Sequence, residues 1–329
     1  MNKRERFEAF IAGEAVDRVP AGFWFHFSPE YAGGEAMARA HLEYYRATDL
    51  DILKVMNDTG YRPIGTVRIE RPEDWRSLEP TPVSDPIFRS HLDGLKGIVD
   101  AVGDEVPVMD TIFNPYNQAV AIVRASDPAR YPTENDARKA LLAWLRDDPE
   151  PVLQGLGVIA DDLAEFYRAC VNEAGVHGFY YSAQGGERDL FSDAEHARFI
   201  KPFDLRVLSA IAPVARFIVG HFCGKGINLA RFQDYPVQVA NWAHHADNLS
   251  LSEGRRLFGD ISILGGMDER GPLVYGPREG IVKEIKEALR EMGTRGFMLG
   301  AGCTVPGDVP LENLIYARQV MGELSAAAL

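Results

Sequence analysis

Apolar residues in this chain follow two rhythms, and their alternation predicts the architecture. Short apolar or aromatic runs bounded by glycine, proline or polar residues occur at 18–27 (entered through Pro20), 51–58, 106–113, 178–182, 215–221, 237–242, 262–267 and 296–300, and predict eight strands. Between them the apolar positions recur at helical spacing. Phe7, Phe10 and Ile11 mark a helix over 3–12, and Met37, Leu42 and Tyr45 one over 34–48. Further helices are predicted over 91–102, 118–125, 133–146, 152–174, 192–214, 251–258, 277–292 and 311–325, with a break or kink in the 192–214 stretch at Pro202. Residues 59–90, with Pro63, Pro72, Pro80, Pro82 and Pro86, read as a long lid-like excursion, and residues 114–132 as a second irregular section.

Eight short strands, most of them separated by helices, are what a (β/α)8 barrel requires. The predicted fold is therefore α/β: a single (β/α)8 TIM barrel over 1–329, with an N-terminal helix and long loops after strands 2 and 3. A doubly wound sheet is the competitor. No glycine-rich phosphate signature follows the first strand. Polar and metal-capable residues also collect at the ends of many strands, at His26, Asp58, Asn114, Ser182, His221, Cys223, Asn241, Asp268 and Cys303, where an open sheet would use only a few.

A net charge of −13 and a pI near 5.1 oppose binding to nucleic acid or to an anionic membrane surface, since both need clustered Lys and Arg. No window approaches the roughly 20 apolar residues of a membrane span, and the start lacks a signal-peptide pattern, so a cytoplasmic protein is expected. Three cysteines are too few for a disulfide framework. Cys170 lies on a helical pattern and reads as a small core residue.

The other two cysteines change the picture. His221 and Cys223 stand two apart at the end of an apolar run, so in an extended strand they leave the same face. Cys303 ends another run eighty residues later, which makes any shared site tertiary. One reading is a buried histidine and two unreactive cysteines. The other is a His/Cys/Cys zinc site with one position open for substrate, the pattern of catalytic zinc. Gly224 and Gly302 beside the cysteines permit close backbone approach and favour the second. Two thiolates and an imidazole leave such a site formally neutral, suited to a soft ligand and to thiolate alkylation.

Around this set, His26 and His244 are candidates for orienting substrate or moving a proton, or are satisfied structural histidines. Asp58 faces the pocket or caps a turn. Phe23 and Trp242 are walls that exclude water or residues that pack the core, Trp24, Asn114 and Ser182 are candidate substrate contacts, and Gln184 belongs to a Gln-Gly-Gly loop that touches ligand or merely turns. Glu187, Asp268 and Asn241 are open choices for a fourth zinc ligand.

The chain resembles the uroporphyrinogen decarboxylase family, and within it the corrinoid-dependent, coenzyme M methyltransferase-like branch. The resemblance rests on Asp17-Arg18-Val19-Pro20, His221-Phe222-Cys223-Gly224, Gly265-Gly266-Met267-Asp268, Gly300-Ala301-Gly302-Cys303-Thr304-Val305-Pro306 and Pro310-Leu311-Glu312-Asn313-Leu314. It implies a (β/α)8 barrel and zinc on His221, Cys223 and Cys303. It also implies methyl transfer between a small-molecule donor or thiol acceptor, such as an aryl methyl ether on the donor side, and a corrinoid (cobalamin) supplied by a partner protein. A homodimer is compatible with it. The decarboxylase branch has an arginine-rich segment after the first strand; Phe23-Trp24-Phe25-His26-Phe27-Ser28-Pro29-Glu30-Tyr31 stands there instead, without arginine, which makes tetrapyrrole decarboxylation the alternative reading.

Overall fold

The computed structural model describes residues 1–61, 67–259 and 261–328. Pro63, part of the excursion expected after the second strand, lies outside them. Seven strands, β1 (Leu53–Val55), β2 (Val108–Phe113), β3 (Gly178–Ala183), β4 (Phe217–Phe222), β5 (Val239–Trp242), β6 (Ser262–Met267) and β7 (Phe297–Ala301), form one sheet in sequence order with every neighbouring pair parallel. The helices are α1 (Lys3–Ile11), α2 (Gly34–Thr48), α3 (Pro86–Val102), α4 (Pro115–Ser126), α5 (Glu134–Asp147), α6 (Pro149–Asn172), α7 (Asp193–Phe199), α8 (Lys201–Ile211), α9 (Leu251–Leu257), α10 (Pro272–Tyr275), α11 (Arg278–Met292) and α12 (Leu311–Ala326). No helix among the described residues is long and apolar enough to cross a membrane.

This is an α/β fold of TIM-barrel type, with seven strands among the described residues where eight were expected. The run at 18–27 makes a single bridge, Ala21 to Leu299 of β7. Pro20 has no N–H, and the N–H of Ala21 is taken by the Asp51 carboxylate at 2.9 Å, so no ladder builds there. Residues 20–22 still span the gap between the sheet's two ends. Gly22 N–H donates to the Leu299 carbonyl, Leu299 N–H to the Pro20 carbonyl and Asp51 N–H to the Ala21 carbonyl.

The long loop expected after the third strand is instead helical almost from its first residue. Asn114 caps α4 by accepting from the Asn117 N–H, and Pro115 occupies the first turn, where a missing N–H is tolerated. The break at Pro202 is present: Ile200 separates α7 from α8, and Pro202 sits in the first turn of α8.

Strand periodicity sorts the core into two. Inward residues Ile52, Met56, Met109, Tyr180, Phe217, Val219, Val239, Leu264 and Met298 form one cluster with Trp24, closed at one end by Phe7 and Phe10 of α1. Their sequence neighbours, such as Val55, Phe179, Ile218, Ala240 and Ile263, face the helices in a larger cluster. The same parity decides which polar strand residues look into the sheet's interior.

Candidate metal centre

His221 is the fifth residue of β4 and is in register with Ser182 of β3 and Asn241 of β5. Its parity matches that of Phe217 and Val219, so its ring enters the interior, where it stacks on Tyr180 with centroids 5.0 Å apart. Asn241, fully buried, uses all of its amide. Its Nδ2 donates to the carbonyls of Leu264 and Ala301 at 2.9 and 3.1 Å, and its Oδ1 accepts from the Tyr180 hydroxyl at 2.7 Å and from His221 Nδ1 at 2.6 Å. Because that oxygen is an acceptor, Nδ1 carries the proton and Nε2 is left with its lone pair. Nε2 faces Cys303 Sγ at 3.5 Å.

The three donor atoms of His221, Cys223 and Cys303 lie within 4.8 Å of one another. A tetrahedral zinc with Zn–S near 2.3 Å and Zn–N near 2.0–2.1 Å places a sulfur and a nitrogen ligand about 3.5 Å apart, which is the separation found. The donor set and its spacing therefore fit zinc. The two sulfurs also share a hydrogen bond, which holds the Cys303 thiol well below its ordinary pKa and pushes Cys223 well above it; His221 reinforces the first effect and burial the second. The shift at Cys303 is in the direction a metal ligand needs, since the thiolate is the coordinating form.

Glycine is needed beside both cysteines. Gly224 has φ +132°, and a Cβ on it would come within 2.8 Å of Ile227 Cδ1; one on Gly302 would lie 2.6 Å from the Ala243 Cα.

The set opens into a pocket of about 340 Å³, whose walls include Met56, Phe113, Tyr180 and Val305. Of the expected site residues, His26, Ser182 and Gln184 line it with the three donors. His26, half exposed, meets Asp58: Nδ1 lies 2.5 Å from Oδ1, while Asp58 Oδ2 accepts the Phe27 N–H at 3.0 Å. Six of the expected residues lie outside the pocket lining. Trp242 has the opposite parity to Asn241 and packs outward against Gly254 of α9, donating to the Leu249 carbonyl. Asn114, one past the pocket-lining Phe113, is buried outward on the Gln184 carbonyl and Asp204. Phe23 belongs to the outer core. Asn241 is buried behind His221 and has no free atom for substrate or metal. Trp24 sits in the inner core beneath the pocket lining, and His244 pairs with His245, their rings 3.6 Å apart, away from the lining residues.

Two residues escaped the sequence reading. Lys54, on β1 between Ile52 and Met56, is buried and lines the pocket. Glu269 follows the Asp268 considered as a ligand. Its buried Oε2 has no hydrogen-bond partner, a Cβ on Gly302 would stand 3.0 Å from it, and burial, helped by Cys303, raises its pKa. The signal for Lys54 was a lone lysine at an inward position of an otherwise apolar strand.

A parallel β/α protein with a soft-metal donor set at its strand ends is the class defined by this geometry. Residues 53–323 match the family described as Uroporphyrinogen decarboxylase (URO-D), and the chain belongs to that family. Among curated proteins, those named uroporphyrinogen decarboxylase from Syntrophotalea carbinolica and Trichodesmium erythraeum are each 25% identical, over 184 and 182 residues, 54% of this chain. The chain spans about half the length of these relatives, 50% and 49%. Among solved structures, a methyltransferase from Methanosarcina mazei shares the fold at TM-score 0.75 and 20% identity, covering 98% of this chain and 99% of its own. A B12-independent methionine synthase from Shewanella sp. W3-18-1 does so at TM-score 0.57 and 12% identity, covering 93% and 97%.

Asn241→Ala is expected to weaken metal binding by about 10–100-fold, because the imidazole loses the group that fixes its tautomer and direction. Competition with a chromogenic chelator reads this; unchanged affinity would show that His221 needs no such hold.

Proposed function

We propose that the chain is a zinc-dependent methyltransferase that moves a methyl group between a small molecule, a thiol on the acceptor side, and a corrinoid carried by a separate protein. The observation that carries this reading is the convergence of His221 Nε2, Cys223 Sγ and Cys303 Sγ within 4.8 Å at the wall of an open pocket. His221, Cys223 and Cys303 would hold a zinc ion, which would supply the Lewis acidity needed to lower the pKa of a coordinating thiol toward neutral pH. The protein does the rest. Asn241 and Tyr180 hold the imidazole, Met56, Phe113 and Val305 exclude water, and the His26–Asp58 pair gives one wall a hydrogen-bonding edge. The M. mazei relative, named a methyltransferase, supports this branch of the family. A cytoplasmic setting, where thiols stay reduced, agrees with three free cysteines.

Decarboxylation of a carboxylate-rich tetrapyrrole is the weaker reading. Residues 23–31 contain no arginine, and the Lys and Arg side chains lining the pocket are Lys54 and Arg270. The test mixes zinc-loaded protein with methylcobalamin and a panel of thiols and follows the cobalt spectrum. Thiol-dependent demethylation that a chelator abolishes is expected. Turnover of uroporphyrinogen by the metal-free protein would replace this reading with the other.

A further inference from the structure

Lys54 is in an unusual position for a lysine. It is 6% exposed, on the inward face of β1, and it lines the same pocket as His221, Cys223 and Cys303. Among the described residues no carboxylate lies within ion-pair distance of its Nζ. Its contacts are the Thr111 hydroxyl at 2.7 Å, Met56 Sδ at 3.6 Å, and the rings of Tyr180 and Trp24, with centroids 4.4 and 5.0 Å away. Thr111 gives its own proton to the Val55 carbonyl at 2.6 Å, so its oxygen is the acceptor toward Lys54.

Counting valences separates the two states of this amine. A neutral amine has two N–H groups, which meet Thr111 and Met56, and one lone pair, which meets no donor among the described residues. An ammonium would turn its third N–H to the rings of Tyr180 and Trp24, which offset only part of the cost of a buried charge that has no carboxylate within ion-pair distance among the described residues. The pocket beside it gains one negative charge whenever a thiol enters and loses its proton, because the His/Cys/Cys centre starts formally neutral. The surroundings of Lys54 therefore favour the amine before a thiol binds and the ammonium after.

We propose that Lys54 is the base that takes the proton of the incoming thiol and then stays as counter-ion to the thiolate. The S–H bond breaks, its electron pair remains on sulfur, and the proton forms an N–H bond with the Nζ lone pair. When the product leaves as a neutral thioether, the ammonium again lacks a counter-ion and returns its proton to solvent. This rests on the methyltransferase reading above. The titratable and charged groups around Lys54 are His41 of α2, Asp110 of β2, Asp58 beyond β1, Tyr180 of β3 and Cys303 beyond β7. Burial lowers the Lys54 pKa to about 7 against the opposing pull of Asp110, Asp58 and Cys303.

The test counts protons rather than turnovers. Zinc-loaded protein is titrated with 2-mercaptoethanol by calorimetry in buffers of different ionisation enthalpy, across a pH series. In the wild type, release is expected to fall from about one proton per thiol near pH 6, where Lys54 is already protonated, toward zero near pH 8.5, where it is free to accept. Lys54→Met should release about one proton throughout this range, and Lys54→Arg, which keeps the charge but cannot act as base, should do the same. Zinc content and circular dichroism confirm that each variant is folded, and the wild-type series decides alone if either is not. A wild-type count that stays near one at all pH values, or Lys54→Met variants that reproduce the wild-type fall, would overturn the proposal. Absence of any zinc-dependent thiol binding in the wild type would overturn the methyltransferase reading, and this proposal with it.

Discussion

Cys303→Ala is expected to abolish methyl transfer and to lower zinc affinity by ~10³-fold or more, while leaving the protein folded. One of three protein ligands is lost, and thiolate coordination supplies much of the binding free energy of such centres. The residue lies just beyond β7, half buried, and its sulfur is not part of either apolar cluster. Truncation there leaves a small gap at a pocket wall, worth about 1 kcal/mol. Cys223→Ala should behave alike. Zinc content by mass spectrometry under native conditions, with the far-UV spectrum as control, reads both effects. A variant that keeps a full complement of zinc would place the metal elsewhere.

The largest expected loss of stability is at Asp51. Its carboxylate is fully buried and accepts from Arg6 Nη1 at 2.9 Å, from Arg18 Nη1 and Nη2 at 2.8 and 2.7 Å, and from the Ala21 N–H at 2.9 Å. Removing one partner of a buried ion network leaves the others charged and unpaired, at a cost of about 3–5 kcal/mol. Asp51→Ala should therefore lower the thermal midpoint by about 5 °C or more, measured by calorimetry. A shift near zero would mean that water replaces the carboxylate. The same arginine cluster extends to Asp17, whose carboxyl the Arg6 hydrogen bonds hold well below the usual carboxylate range. A depressed folded pKa contributes stability that is present above the unfolded value near 4 and is lost as pH falls below it, so this clamp loosens in acid.

The clamp connects fold to site. It pins residues 20–22 between β7 and the approach to β1, and the chain then runs through Trp24 to His26 on one side of the pocket, while β7 delivers Cys303 on the other. The Asp17-Arg18-Val19-Pro20 motif that helped to carry the family resemblance is thus structural in this chain.

Apolar rhythm alone located seven strands and most helix bounds, because a buried parallel strand and an amphipathic helix each leave a direct imprint on the sequence. It failed at 18–27, where aromatic content resembled a strand but Pro20 and the Asp51 contact remove the donors of a ladder. The three donor atoms were legible because His221 and Cys223 share a parity and Cys303 ends a run. Trp242 and Asn114 fall outside the pocket lining for the same kind of reason in reverse: each sits at a strand end but one residue out of phase with the interior. Lys54 left only the signal of a lone lysine within an apolar run, and its burial, register with Met109 and contact with the ring of Tyr180 give it meaning in three dimensions. Glu269 depended on the turn after β6, which the sequence pattern does not describe.

Zinc K-edge X-ray absorption on the purified protein tests the central claim most directly. The account predicts two sulfur scatterers at about 2.3 Å, one imidazole nitrogen at about 2.0–2.1 Å and one exchangeable light ligand, with a third sulfur appearing when a thiol is added. A protein without zinc, or a closed shell that gains no sulfur on adding thiol, would contradict it.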